Sequence, residues 1–316
     1  MRLPLVFMYS GQGAQYYGMG RELYEAEPVF RKTMQECNRI ASDCLGQDLL
    51  EEIYKDRGRS YDPFEETRLT HPANFMMGYS LTQLLFSKGL EPDLLVGYSL
   101  GEYIAAIVSE ALPLERAIQT IISQGLLFQE HTPEAGMLAI LADLAIFDDR
   151  PELFRDSWLA CSNFPNHFVV TATRKRLAAI ETQLNQEGTT TQLLPITRGF
   201  HSPLIEDVAM EFPAYAEGFL PLRIPMVSSR LAGELSAMNA SELWAACRQP
   251  VAFIETMRYL ESRGPHCYID VGPAGTLMNF AKYNLPRSSA SQCHSVMNPF
   301  GKNTQTLAKL LEQVSR

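Results

Sequence analysis

A serine between two glycines, in Gly97-Tyr98-Ser99-Leu100-Gly101, is the feature of this sequence that most clearly suggests covalent chemistry. An apolar segment precedes it and a helical pattern follows, which is the context of a nucleophile elbow. Glycine is needed there because the turn is too tight for a Cβ at its flanks, and the exposed hydroxyl could attack an acyl group. The same glycines also fit a plain strand-to-helix turn, so the motif alone leaves both interpretations open.

An activated serine needs a general base, and histidine is the usual one. Of the six histidines, His201 in TRGFHSPLIEDV has the most suggestive context, because the apolar Phe200 precedes it and a Ser-Pro turn follows. His71 is interpreted as structural, His131 as solvent-facing and His167 as either. The residues by themselves therefore make His201 a candidate base without settling its role.

Strands that alternate with helices must position these side chains. Residues 4–10 and 93–99 predict buried strands, since both are short apolar runs bounded by turn residues. Helical spacing in VFRKTMQECNRIASDCLG predicts one helix, and RLTHPANFMMGYSLTQLLFSKG predicts a long apolar one. This alternation predicts an α/β protein with a mainly parallel sheet that is covered on both faces.

The pattern changes near residue 136. GMLAILA predicts a strand, WLACSNFPNHFVVTAT two short strands around a turn, TRKRLAAIETQLNQEG an amphipathic helix, and TTTQLLPIT another strand. This order predicts a small α+β insert at residues 136–197. The catalytic domain would then consist of residues 1–135 and 198–316.

Composition and charge argue against several classes of function. The 316 residues carry a formal net charge of −9, which disfavours nucleic-acid binding. No apolar run approaches the roughly 18 residues that a membrane helix needs. The cysteines form no C-x-x-C pair, and neither H-E-x-x-H nor G-x-x-x-x-G-K-[ST] occurs, so we expect no metal site. The first residues are interpreted as a strand rather than a signal peptide, and we expect a cytoplasmic protein.

Six blocks along the chain occur in a characteristic order. They are FMYSGQGAQYYGMG, GYSLGE, NFPNHFVVTAT, RGFHSPLI, RQPVAFIETM and YIDVGPAGTL, within about residues 4–285. They resemble, in turn, the patterns F-x-G-Q-G-x-Q, G-H-S-x-G-E, N-x-P-x-x-x-V-(I/V)-S-G, A-F-H-S, Q-x-x-x-V-x-F and E-x-G-P, with substitutions in each block. In this respect the chain resembles the malonyl-CoA:acyl-carrier-protein transacylases and the acyltransferase domains of polyketide synthases.

The resemblance implies a fold and a set of roles. The fold is an α/β-hydrolase-like large domain with a parallel sheet, plus an inserted ferredoxin-like small domain. Ser99 is implied as the nucleophile and His201 as its general base, oriented by the main-chain carbonyl of Gln249. The implied oxyanion hole consists of the backbone N–H groups of Gln12 and Leu100.

The sequence departs from the family at the substrate pocket. Members that use malonyl groups carry an arginine where this chain has Gln124, and a neutral amide cannot offset the burial of a carboxylate as a guanidinium can. We expect Gln124 to keep a polar donor facing a pocket for uncharged acyl chains. Tyr98 stands where the family usually has histidine, and Gly199 replaces an alanine. The neighbouring Arg198 could approach a carboxylate or a phosphopantetheine phosphate, but we expect it to be a solvated surface residue.

These departures point to a particular substrate class. Gln124, Tyr98, Phe200 and Asn163 are predicted to bind substrate. The chain is similar to the stand-alone acyl hydrolases of polyketide synthases with separate acyltransferases, which implies removal of uncharged, mostly short acyl groups from carrier proteins. The alternatives are an acyltransferase with malonyl or relaxed specificity and a non-catalytic scaffold that docks carrier proteins.

The resemblance also implies partners. These are acyl carrier protein domains of a polyketide synthase, with the acyl group on phosphopantetheine or on coenzyme A and no other cofactor. We expect a monomer with no nucleic-acid or membrane partner. Because carrier proteins are acidic, docking needs a local basic patch. The candidates are Arg174, Lys175 and Arg176, or Lys282 and Arg287.

Overall fold

Two β-sheets with flanking helices form the structure, a computed structural model that describes residues 2–55, 63–211 and 218–314. Its strands are β1 (Leu5–Tyr9), β2 (Leu94–Gly97), β3 (Gly136–Ile140), β4 (Trp158–Phe164), β5 (His167–Ala172), β6 (Thr191–Leu193), β7 (Met226–Ser228), β8 (Gly233–Glu234), β9 (Val251–Ala252), β10 (Cys267–Asp270) and β11 (Gln292–Ser295). Its helices are α1 (Arg21–Ala26), α2 (Pro28–Leu45), α3 (Leu49–Tyr54), α4 (Thr67–Ser87), α5 (Leu100–Val108), α6 (Leu114–His131), α7 (Ala145–Asp149), α8 (Arg174–Gln186), α9 (Ala240–Arg248), α10 (Phe253–Glu261), α11 (Thr276–Asn284) and α12 (Asn303–Val314), with a 3₁₀ helix at Pro203–Val208.

The larger sheet has the strand order β11-β10-β1-β2-β7-β8 and is parallel except for β8. All five residues of β1 are buried, as expected for a central strand covered on both faces. Tyr9, which ends β1, pairs with Gly97, which ends β2. The loops after these two strands therefore meet at the carboxyl edge of the sheet, where open α/β folds bind ligands.

Helices α4 and α6 pack against each other on the same part of the molecule and carry two residues that matter for the site. Helix α4 is buried along most of its length, which explains its apolar sequence, and it includes Pro72 and His71. Gln124 lies on the buried face of α6. The two helices thus place polar side chains inside an apolar core.

The smaller sheet has the strand order β6-β3-β5-β4-β9. Elements β3, α7, β4, β5, α8 and β6 follow one another as β-α-β-β-α-β, the ferredoxin-like pattern. The predicted strands and helix α8 are confirmed, whereas α7 has no buried residue and gave no periodic signal. Leu177 and Ile180 of α8 pack on one sheet face, and Met137 and Ala139 on the other face join the core of the larger sheet.

The two ends of the insert lie side by side. The Ala135 N–H donates to the Thr197 carbonyl at 3.1 Å, so the chain leaves and re-enters the larger unit at one place. Strand β9, from the later part of the chain, pairs in parallel with β4 and widens the smaller sheet. The domain limits at 1–135, 136–197 and 198–316 stay a prediction.

Candidate active site

Ser99 lies in a sharp turn between β2 and α5. Its φ of 54° and ψ of −123° are unusual for a residue with a side chain, and such strain persists only where the surroundings enforce it. A Cβ on Gly97 would lie 2.3 Å from the Cα of Glu102, and one on Gly101 would lie 1.9 Å from the carbonyl oxygen of Tyr9. Both glycines are therefore required by close backbone packing, and the turn holds the serine at the strand end.

Ser99 and His201, 102 residues apart, form a hydrogen-bonded pair. The Ser99 Oγ and His201 Nε2 atoms are 2.9 Å apart, and His201 Nδ1 is 2.6 Å from the carbonyl oxygen of Gln249. A carbonyl oxygen can only accept, so Nδ1 carries the proton and Nε2 presents its lone pair to the hydroxyl. This is the tautomer in which the imidazole can take a proton from the serine.

The surroundings of His201 keep its imidazole neutral. The side chain is buried, and burial lowers the pKa of His201 from 6.5 to about 4, against the opposing effect of its hydrogen bond to the Gln249 carbonyl. Its backbone has a φ of 60° and is held by an N–H bond of 2.8 Å to the Cys247 carbonyl. At neutral pH the group is a fixed, unprotonated base.

A glycine loop lies directly against the elbow. A Cβ on Gly11 would lie 2.9 Å from the carbonyl oxygen of Tyr98 and 3.5 Å from the backbone nitrogen of Leu100, which begins α5. Gly13 has a φ of 105°, a conformation that favours glycine. Gln12 lies between these glycines and lines the cavity. The loop and the helix N-terminus therefore bring the backbones of Gln12 and Leu100 to the serine, although the oxyanion role stays a prediction.

A cavity of about 290 Å³ opens at the pair. Ser99, His201, Tyr98, Asn163 and Phe200 line it, together with Gln12 and one face of the smaller sheet. That sheet face contributes apolar residues such as Met137, Ala139, Cys161 and Val169, as well as the polar Asn163, His167 and Gln192. Among the described residues, its lining contains no lysine or arginine.

Tyr98 belongs to a hydrogen-bonded row on the cavity wall. Its hydroxyl donates to Asn163 Oδ1 at 2.7 Å, and Asn163 Nδ2 donates to His167 Nδ1 at 3.1 Å. Burial raises the pKa of the Tyr98 hydroxyl and lowers that of the His167 imidazole, so both remain neutral. His167, which the sequence left open, therefore lines the cavity itself and joins two residues predicted to bind substrate.

Gln124 lies behind the cavity wall rather than in it. Its side chain is 1% exposed, and it is not among the described residues that line the cavity. Its Nε2 lies 3.3 Å from His71 Nδ1 and 3.6 Å from Cys247 Sγ, and its Oε1 has no partner in the described part of the chain. The amide nitrogen of Gln124, which we expected to face the pocket, thus points to His71 and not into the cavity. A role of Gln124 in substrate binding stays a prediction.

The expectation for Arg198 is wrong, because this residue is buried. Its guanidinium donates to the backbone carbonyls of Phe128, Gln129 and Thr197, at or below 3.0 Å in each case. Two of these carbonyls lie in the last turn of α6, where a cation offsets the helix dipole. Arg198 therefore fastens α6 to the segment of His201 and does not enter the cavity.

The two candidate basic patches differ in the contacts that their charged side chains make. Arg174 donates to a backbone carbonyl and pairs with a glutamate at 3.7 Å, and Arg176 donates to three backbone carbonyls. Lys175, Lys282 and Arg287 are exposed. Docking at either patch stays a prediction.

The sequence did not single out His71 as part of the site. It lies on α4, 2% exposed, and its ring centroid is 5.5 Å from that of Phe200. The signal available in the sequence was a titratable residue in an otherwise apolar helix, because such a residue needs a hydrogen-bond partner when it is buried.

In the described ranges of the chain, no helix combines the length and apolar character that crossing a lipid bilayer requires.

Comparisons with known proteins agree with this geometry. The chain matches the family model of the acyl transferase domain over residues 6–314. It is 39% identical over 309 residues to "Polyketide biosynthesis acyltransferase homolog PksD" of Bacillus subtilis (strain 168), covering 97% of this chain and 95% of that protein. It is 36% identical to the homolog BaeD of Bacillus velezensis, covering 99% and 98%.

A solved structure is also similar along the chain. The acyltransferase domain from the second module of the salinomycin polyketide synthase aligns with a TM-score of 0.85 and 29% identity, covering 98% of this chain and 72% of that one. This similarity confirms the α/β-hydrolase-like large domain with a ferredoxin-like small domain.

Proposed function

Because the chain belongs to the acyltransferase-domain family, we propose that it is a serine-dependent acyl hydrolase acting on carrier-protein thioesters. Its substrates are uncharged, mostly short acyl groups on acyl carrier proteins of a polyketide synthase. The observation that carries this proposal is the Ser99–His201 hydrogen bond of 2.9 Å beside a cavity whose described lining has no cation. The names of the relatives PksD and BaeD support a place in polyketide biosynthesis.

Acylation uses the neutral imidazole. Nε2 of His201 takes the hydroxyl proton of Ser99 as its Oγ bonds to the thioester carbonyl carbon. The backbone N–H groups of Gln12 and Leu100 would stabilise the resulting oxyanion, each contributing roughly 3 kcal/mol of barrier lowering. The carbon–sulfur bond then breaks, the imidazolium returns its proton to the thiolate, and the acyl group remains as an ester on Ser99.

Deacylation repeats the steps with a second nucleophile. In hydrolysis His201 deprotonates a water molecule, which attacks the ester carbonyl, and Ser99 leaves with the returned proton as the free acid departs. In transfer a carrier thiol takes the place of water. The two outcomes therefore differ only in which nucleophile reaches the acyl-enzyme.

Charge at the cavity supports the preference for neutral groups. An unpaired carboxylate buried there would lose several kcal/mol of solvation with no cation to offset it. Two buried polar side chains behind the wall are also neutral: Gln124 carries an uncharged amide, and burial lowers the pKa of His71 to about 3. A malonyl group is therefore disfavoured relative to an acetyl group.

An acyl-CoA:acyl-carrier-protein acyltransferase is the second candidate. The word acyltransferase in the names of the relatives favours it, and its acylation step would use the same pair of side chains. Such an enzyme would load a carrier from coenzyme A, with relaxed acyl preference in the absence of a cationic pocket.

The two functions are distinguished by following carrier-bound acyl groups with intact mass spectrometry. The protein is incubated with acetyl- and malonyl-acyl carrier protein, with and without a second unloaded carrier, and Ser99→Ala serves as the control. We expect acetyl to be released as free acid while malonyl stays in place. Passage of acetyl to the second carrier would instead establish the transferase. Equal loss of malonyl would refute the preference for neutral groups.

The same assay tests whether the protein is a catalyst at all. A transient mass increase on the wild-type enzyme, absent from Ser99→Ala, identifies the acyl-enzyme. If neither an adduct nor turnover occurs, the remaining possibility is a protein that docks carriers without reacting with them.

A further inference from the structure

A row of side-chain hydrogen bonds runs behind the cavity from α6 to the glycine loop. Gln124 Nε2 lies 3.3 Å from His71 Nδ1, His71 Nε2 lies 3.0 Å from Gln12 Oε1, and Gln12 Nε2 lies 2.8 Å from Thr70 Oγ1. His71, Thr70 and Gln124 are each no more than 2% exposed. Nothing in the reaction steps above uses this row.

The donor directions along the row are mutually consistent. An amide nitrogen can only donate, so Gln124 donates to Nδ1 of His71 and the imidazole proton lies on Nε2. Nε2 then donates to the amide oxygen of Gln12, whose nitrogen donates to Thr70. Burial lowers the pKa of His71 to about 3, which keeps the ring neutral at neutral pH, and its two partners then fix the tautomer.

The row ends on Gln12, which lines the cavity together with Ser99 and whose backbone N–H is the proposed oxyanion donor. Gln12 lies between Gly11 and Gly13, which have no side chains to fix the loop. Its side-chain oxygen and nitrogen are both bonded to consecutive residues of α4, His71 and Thr70. A buried helix thereby restrains an otherwise permissive backbone.

His71 also contacts the segment of the catalytic base. Its ring centroid lies 5.5 Å from that of Phe200, which precedes His201, and 6.1 Å from that of Phe128. One side chain thus borders both the loop expected to bind the oxyanion and the segment that holds the base.

We infer that His71 is a positioning residue, which together with Thr70 holds the backbone N–H of Gln12 at the proposed oxyanion site through the Gln124–His71–Gln12–Thr70 row. The inference rests on the proposed acyl-enzyme chemistry. His71 never touches the substrate, and its effect is expected on the rate of acylation rather than on the binding of the carrier.

The test compares two substitutions of His71 in single-turnover acylation by acetyl-acyl carrier protein. His71→Gln keeps one donor for Gln12 and one acceptor for Gln124, whereas His71→Leu fills space without either. We expect His71→Leu to slow formation of the Ser99 adduct roughly tenfold and His71→Gln to stay within about threefold of the wild type. The KM for the carrier should remain unchanged in both.

A double-mutant cycle separates positioning from a general packing effect. In a Gln12→Ala background the row is already broken, so His71→Leu should change the acylation rate by less than about twofold. A full tenfold effect in that background overturns the inference, as does equal impairment by His71→Gln and His71→Leu. Circular dichroism and thermal unfolding verify that each variant is folded.

A substitution at the other end of the row, at Thr70, tests the same inference if His71→Leu does not fold. Thr70→Val is nearly isosteric and removes the acceptor for Gln12, so it should slow acylation severalfold with an unchanged KM. An unaffected rate overturns the inference. If the wild type forms no acyl-enzyme, the proposed function fails and the inference with it; if the wild type reacts normally and the variants match it, only the inference fails.

Discussion

Acylation should remain fast well into the acid range, because the general base is buried. The experiment varies only the pH and uses the unmodified protein. Only the neutral imidazole of His201 can take the serine proton, and burial lowers its pKa from 6.5 to about 4. Activity is therefore lost as pH falls through about 4 and not through 6.5.

The difference is large at pH 5.5. An imidazole with the ordinary pKa would be only about one-tenth neutral there, whereas one with a pKa near 4 is still about 97% neutral. We therefore expect kcat/KM at pH 5.5 to be nearly the same as at pH 7.5. A solvent-exposed histidine would give a loss of roughly tenfold.

The assay is initial-rate hydrolysis of acetyl-pantetheine from pH 4.5 to 8, corrected for the uncatalysed reaction. The pH dependence of kcat/KM reports the pKa of the essential base in the free enzyme. Because the unfolded chain protonates His201 near 6.5 and the native state does not, this group also makes the fold less stable as pH falls from 6.5 towards 4. Circular dichroism at each pH must therefore show a folded protein. A tenfold fall per pH unit that begins near 6.5, with the fold intact, would refute the reasoning.

Three substitutions test other features of the site. Gly101→Ala should destabilise the protein by at least about 2 kcal/mol, because its Cβ would lie 1.9 Å from a backbone carbonyl oxygen, whereas the control Gly233→Ala meets nothing closer than 3.8 Å; equal urea midpoints would contradict this. Tyr98→Phe removes the 2.7 Å hydrogen bond to Asn163 and should lower the free energy of unfolding by about 1 kcal/mol, measured in urea. An unchanged free energy of unfolding would show that this bond does not stabilise the fold. Gln124→Arg should raise malonyl occupancy of the nucleophile in intact-mass labelling, since the longer arginine side chain can extend from behind the cavity wall and pair with the carboxylate. Unchanged malonyl labelling would count against the assignment of this position.

The sequence alone was sufficient for features that depend on local geometry. The elbow around Ser99 could be predicted because a sharp strand-to-helix turn imposes glycine at fixed spacing, and the structure shows the backbone contacts that exclude a Cβ at Gly97 and Gly101. Strand β1 could be predicted because a buried parallel strand must be apolar throughout. The order of the six blocks identified the family, and with it the fold.

Only the tertiary structure decided how distant segments meet. His201 reaches Ser99 across 102 residues, and a main-chain carbonyl orients it, a contact that no side-chain type encodes. Arg198 was assigned to the surface because its charge predicts exposure, yet carbonyls at the end of α6 satisfy it in the interior. Gln124 was placed at the cavity because it matches the position of an arginine in the family, but its amide points to His71 and it does not line the cavity among the described residues. Burial and partner geometry arise from long-range packing, which local residue patterns do not specify.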